Sequence, residues 1–183
     1  MSFRMRPVFI VLLLLVVSSP QLFSSSNNTL IGDPAPDFKV VSADKKTLTR
    51  SDIKGKIVVL FYEARGAVEE NRKLKDELNI FYAAQAESVK KDIVRVAVIN
   101  CHGVLFKGAW EKGLRESSAK EGITVYGDWD GSMSIAYRAK KDESNSIIID
   151  KRGVVRYYAS GEIKDIGRVK ELLQVLLHEN IDK

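Results

Sequence analysis

The chain has 183 residues, 45% of them hydrophobic and 29% charged, ordinary values for one globular domain with a real core. The formal charge of +5 arises from 29 Lys and Arg interleaved with 24 Asp and Glu, so no basic stripe marks a nucleic-acid surface. One cysteine, Cys101, excludes an internal disulfide, and two histidines, His102 and His178, supply too few ligands for a metal centre.

Arg4 and Arg6 form a basic start, Val8 to Val17 is an unbroken apolar run, and Ser18-Ser19-Pro20 and Ser24-Ser25-Ser26 follow. That order is the order of a secretory signal peptide, and the run falls short of the about 20 residues a spanning helix needs. Residues 1–26 are therefore assigned to a signal peptide, 27–31 to a polar linker and 32–183 to the domain. The product is expected in the periplasm or secreted. The alternative is an uncleaved N-terminal anchor, the single membrane contact expected. Subtracting Arg4 and Arg6 from +5 leaves +3.

Within the domain, Gly32-Asp33-Pro34-Ala35-Pro36-Asp37-Phe38 predicts an extended opening that anchors at Phe38, and Val40-Val41 a short strand. Asp44-Lys45-Lys46 marks a turn, and Thr49 or Ser51 is placed to cap a short helical turn before Gly55. Lys56 to Tyr62 is the strongest strand signal, with Ile57 to Phe61 lacking the polar alternation of a half-exposed strand. A long helix is predicted over 68–91, its apolar side carrying Leu74, Leu78, Phe81 or Tyr82, and Val89. Ile93 to Asn100 predicts a second buried strand ending at Cys101. Phe106 to Lys120 predicts a helix stopped by Gly122, and Ile123 to Tyr126 a third strand. Asp128-Trp129-Asp130-Gly131 is a turn leading into a short helix over 133–137. Two strands, 146–149 and 154–158, flank the hairpin turn Asp150-Lys151-Arg152-Gly153, and a helix over 164–179 closes the chain on an Ile166, Val169, Leu172, Leu173, Leu176, Leu177 stripe. Strand–helix–strand units followed by a hairpin and a helix predict an α/β fold in three layers, a mixed sheet with helices on both faces.

Four segments in this order carry a resemblance: Gly32 to Phe38, Ile53 to Tyr62, Val125 to Gly131 with Ile135-Ala136-Tyr137, and Ser146 to Gly153. They are similar to the thioredoxin-like superfamily, in the branch holding exported thiol-disulfide oxidoreductases and peroxiredoxins, over residues 31–183. The resemblance implies that the paired active cysteines would fall at Gly66 and Glu69 and the family's cis-proline near Ser144; neither motif is present. Nor does the turn hold the cysteine or threonine of the peroxiredoxin pattern. Among cysteine-free members the chain most resembles the periplasmic YtfJ-like group, which implies an exported thioredoxin-like protein with no paired-thiol chemistry.

Three readings of function follow. The first is a non-catalytic domain that binds a protein or peptide, with no cofactor. The second is a redox accessory protein acting through Cys101, which stands at a strand's C-terminal end beside His102, an imidazole able to raise its thiolate fraction; the alternative there is an inert buried thiol. The third is an anion or small-ligand binder built from Arg65, Gly66 and Ser144 at the helix start, opposed by Glu69 and Glu70, which would answer the helix dipole from within.

Overall fold

A computed structural model describes residues 30–179. The assigned signal peptide, most of the linker and the last four residues lie outside them.

Seven strands form one mixed sheet: β1 (Lys39–Ser42), β2 (Thr47–Thr49), β3 (Ile57–Glu63), β4 (Ile93–Asn100), β5 (Val125–Asp128), β6 (Ser144–Ile149) and β7 (Val155–Ser160). Their order is β2-β1-β5-β4-β3-β6-β7. The central strands β3, β4 and β5 run parallel, while β6 lies antiparallel to β3, and β1 antiparallel to β5. The fold is thioredoxin-like, as the resemblance implied.

The two sheet faces bury different sets. On one, Val58, Leu60, Tyr62, Val96, Val98, Ile147 and Ile149 pack beneath the opening segment (Leu30, Ala35, Phe38) and the short helix α4 (Ser132–Ala136). The Tyr137 ring meets Phe38 edge-on at 6.1 Å, and its hydroxyl donates to the Pro36 carbonyl at 3.0 Å. On the other face, Ile57, Val59, Phe61 and Ile148 lie under α1 (Arg72–Ala83) and α5 (Ile166–His178). Beside them α3 (Lys107–Glu121) covers Ile99, Cys101 and Val125 through Leu114. With both faces covered, all seven residues of β3 are buried, which is why its sequence shows no alternation.

Local chemistry sets the element ends. Thr49 caps a 3-10 turn (Arg50–Ile53), its N–H donating to Asp52 Oδ2 at 2.8 Å. Gly122 stops α3 in the left-handed region at φ 65°. Asp165 caps α5 by accepting the Arg168 N–H at 3.0 Å.

Several expectations shift. The single helix over 68–91 is two: α1, then one turn of α2 (Glu87–Lys90). Gln85 Nε2 donates to the Phe81 carbonyl at 3.0 Å and ends α1, and Ala86 takes an extended conformation at ψ 150°. Val89 still packs on the same cluster as Leu74 and Leu78, so the apolar spacing survives a break that periodicity does not reveal. β2, Thr-Leu-Thr, is too short to stand out as a strand in the sequence and is defined by its pairing with β1. β5 begins two residues later than expected. β6 begins at Ser144, because Ser144, Asn145 and Ser146 continue the ladder opposite Glu63, Tyr62 and Phe61.

Leu173 is 2% exposed between α5 and the sheet. Leu173→Ala is expected to cost about 2–5 kcal/mol of unfolding free energy, read from the midpoint of urea denaturation.

Candidate functional site

In open parallel sheets, functional groups gather where strands end. Here Glu63 ends β3, Asn100 ends β4 and Asp128 ends β5, at one edge of the sheet, and Ser144 joins them from β6. All the candidate residues lie on this edge.

From Glu63 the chain passes through Ala64 into a 3-10 turn, Arg65–Ala67, and reaches α1 only at Arg72. The expected helix start at Val68 is displaced by four residues. Glu70 and Asn71 account for this by reaching out of the segment. Glu70 Oε2 accepts the Ser144 N–H at 2.8 Å. Asn71, 2% exposed, donates to the Gly161 carbonyl at 2.9 Å and accepts the Ile163 N–H at 2.8 Å. Both contacts fasten the turn to β6 and to the loop before α5. The helix N-terminus is therefore committed within the protein and does not lie at Gly66.

Beneath the turn is a buried ion pair. Lys75 Nζ donates to Glu63 Oε2 at 2.8 Å and to the Val68 carbonyl at 2.8 Å; Ser144 Oγ donates to Glu63 Oε1 at 2.8 Å. The Glu63 side chain is 1% exposed and that of Lys75 8%. Burial pushes the Glu63 carboxyl above its ordinary range, against the opposing pull of Lys75 and the hydrogen bonds of Lys75 and Ser144. Neither residue stands out in the sequence, because a Glu at a strand end and a Lys in an amphipathic helix are each ordinary alone.

The named positions divide sharply in accessibility. Arg65 and Gly66 are exposed. Ser144 is fully buried, with its hydroxyl on Glu63 and its N–H on Glu70, so it supports the turn from below. Glu69 is exposed and bridges Arg72 at 3.0 Å and Lys120 at 2.6 Å; those hydrogen bonds, Arg72 first, hold its carboxyl down to about 2. Gly66 and Glu69, near which the resemblance places the paired cysteines, are an exposed glycine and an ion-paired carboxylate. The described chain contains no cis peptide, at Ser144 or elsewhere.

Cys101 is on the same edge but closed off. It is 1% exposed, and its N–H donates to the Asp128 carbonyl at 2.9 Å. Burial first, and the charge of Asp128 second, push its thiol up to about 12. Asp128 is fully buried and held by Tyr62 Oη at 2.9 Å, the Gly131 N–H at 3.1 Å and the Ser134 N–H at 3.0 Å. His102, expected to favour the thiolate, is exposed, and its backbone N–H donates to Asn100 Oδ1 at 3.0 Å. Gly127 is required where it stands: a Cβ there would lie 2.9 Å from the Trp129 ring and 3.0 Å from Cys101 Sγ.

Two outcomes follow. Lys75→Met removes the cation facing Glu63 and is expected to cost about 3–5 kcal/mol at pH 8. Without Lys75 the Glu63 carboxyl rises further. As pH falls through its folded value it binds a proton more readily than in the unfolded chain, so the loss shrinks toward pH 5; urea melts at both pH values measure this. Cys101 in the folded protein is expected to react with iodoacetamide at pH 8 at least about 100-fold more slowly than in urea.

Residues 31–158 match the AhpC/TSA family. A Pyropia yezoensis protein described as a peroxiredoxin, ycf42, is 26% identical over 168 residues, covering 85% of this chain and 80% of its own. Among solved structures, a Chlorobium tepidum protein described as a thiol:disulfide interchange protein DsbE has 24% identity and a TM-score of 0.61, covering 80% of this chain and 97% of its own. A Bacteroides thetaiotaomicron protein described as a protein disulfide isomerase has 17% identity and a TM-score of 0.63, covering 81% and 91%. At these identities the structural likeness establishes the fold alone. The chain, with one cysteine and a thioredoxin-like sheet, belongs to the AhpC/TSA family.

Proposed function

We propose that this chain is an exported, redox-inactive member of its family that binds a protein or peptide, akin to the YtfJ-like group, and that it uses the exposed turn at Arg65 and Gly66 as part of its binding edge. One observation carries the reading. Where the family's thiols would stand there are Gly66 and the ion-paired Glu69, while Cys101 is buried and held protonated. Disulfide exchange needs an accessible thiolate. The turn is fastened to β6 and to the loop before α5, and its Arg65 and Gly66 face solvent. Such a platform suits recognition. Export is supported by the basic, apolar and serine-rich order of residues 4–26.

Purified protein is expected neither to reduce insulin disulfides nor to consume hydrogen peroxide above a no-protein control. Enzyme-like turnover in either assay would refute the proposal. Cys101→Ser is expected to leave both assays, and the pattern of mixed disulfides captured from cells, unchanged. A mixed disulfide lost in Cys101→Ser would point to thiol chemistry instead.

A further inference from the structure

The chain leaves β4 at Cys101 and enters α3 through Leu105 and Phe106, which are 89% and 76% exposed. They are the only consecutive pair among the large apolar side chains that stand half or more exposed in the described residues. Leaving them in water forgoes about 1.5–3 kcal/mol for each, and adjacent exposed apolar groups mark interaction sites. Four residues beyond Phe106, in the first turn of α3, Trp110 is half-buried and packs against the cluster around Cys101 and Leu114.

The charges around this pair are unbalanced. The Arg65 guanidinium lies over the Trp110 ring at 5.2 Å, and Lys107 Nζ over the Trp129 ring at 4.8 Å. Among the described residues neither cation has a carboxylate within 4.0 Å. Their cationic neighbours do: Lys45 pairs with Glu111, Arg72 with Glu121 and Glu69, and Lys120 with Glu69. The nearby acids are therefore in ion pairs with other cations, while Arg65 and Lys107 lie on aromatic faces, Lys107 within the field of Glu111. Glu111 lies in the field of Lys45, Lys107 and Arg115 together, so cations outnumber that acid, and an apolar surface with such an excess of positive charge is complementary to an apolar segment that carries carboxylates.

We propose that Leu105, Phe106 and Trp110, flanked by Arg65 and Lys107, form the recognition face of this protein, and that its ligand is a peptide segment of a partner protein combining large apolar side chains with acidic ones. This rests on the reading of the chain as a binding domain and extends the Arg65 turn across to the start of α3. Phe106 and Trp110 take up the apolar side chains, and Arg65 and Lys107 receive the carboxylates. The cation–π contacts hold both charges in place before binding, which lowers the ordering cost.

Trp110 and Trp129 are the only two tryptophans in the chain, so intrinsic fluorescence reports directly on this face. The purified chain is titrated with a short synthetic peptide alternating Leu or Phe with Glu, with a counterpart carrying Lys for Glu, and with one carrying Ser for the apolar residues. The Leu/Phe–Glu peptide is expected to shift the emission saturably and to bind about tenfold or more tightly than either counterpart. Phe106→Ser and Lys107→Glu are each expected to weaken it about tenfold, with unchanged circular dichroism, since both residues are exposed. Equal binding of the Lys peptide, no binding of the Leu/Phe–Glu peptide at millimolar concentration, or full affinity in both variants would overturn the proposal. So would a dimer in sedimentation that Phe106→Ser dissolves, since the occupant would then be a second copy. Insulin and peroxide assays probe redox inactivity separately, so failure of that reading is distinguishable from failure of this face.

Discussion

The edge of this sheet is organised by one buried carboxylate. Glu63 occupies the last position of β3, 1% exposed, and is tolerated because Lys75 of α1 and Ser144 of β6 both reach it at 2.8 Å. The pair itself is a costly way to bind elements together, since desolvation offsets much of the Coulomb gain. Its effect is positional. Lys75 also ties down the Val68 carbonyl, so helix, strand and turn are held by one ammonium group. A displaced α1 would leave a buried charge without a partner, which restricts the packing of α1 on the sheet.

Around that constraint Asn71, Glu70 and Asn145 work alike. Asn71 joins the turn to the loop before α5, and Glu70 receives the Ser144 amide. Asn145 accepts from the Lys140 N–H, Ser160 Oγ and Tyr158 Oη, and donates to neighbouring carbonyls. The edge that in thiol enzymes needs an accessible sulfur is here closed by satisfied hydrogen bonds beneath the turn, while the turn's outer side and the start of α3 stay open. A rigid base under an exposed surface is consistent with the proposed binding role, because pre-ordered groups lose little entropy on binding.

The elements legible in the sequence were those whose signals are local. The apolar run of β3 reads as a strand covered on both faces, and Gly122 stops α3 where its spacing indicated. The hairpin at 150–153 follows from turn chemistry. Illegible elements depended on distant partners. Ser144 and Asn145 look like loop residues until Glu63 and Tyr62 lie opposite them. The start of α1 moved to Arg72 because Glu70 and Asn71 found partners 74 and 90 residues away. Cys101 read as a candidate nucleophile by position, yet its reactivity is set by burial and by Asp128, neither of which spacing reports.

The α/β architecture, the single thiol and the lack of a second cysteine follow from the order of residues alone. Periodicity, turn residues and composition are properties of neighbours along the chain. Which groups face water and which face each other is set by packing between distant segments: Glu63 against Lys75, Cys101 beneath Gly127 and Trp129, Arg65 upon Trp110. Ionisation, accessibility and complementarity depend on distances in space, and these are fixed only when the strands align and the helices close over them.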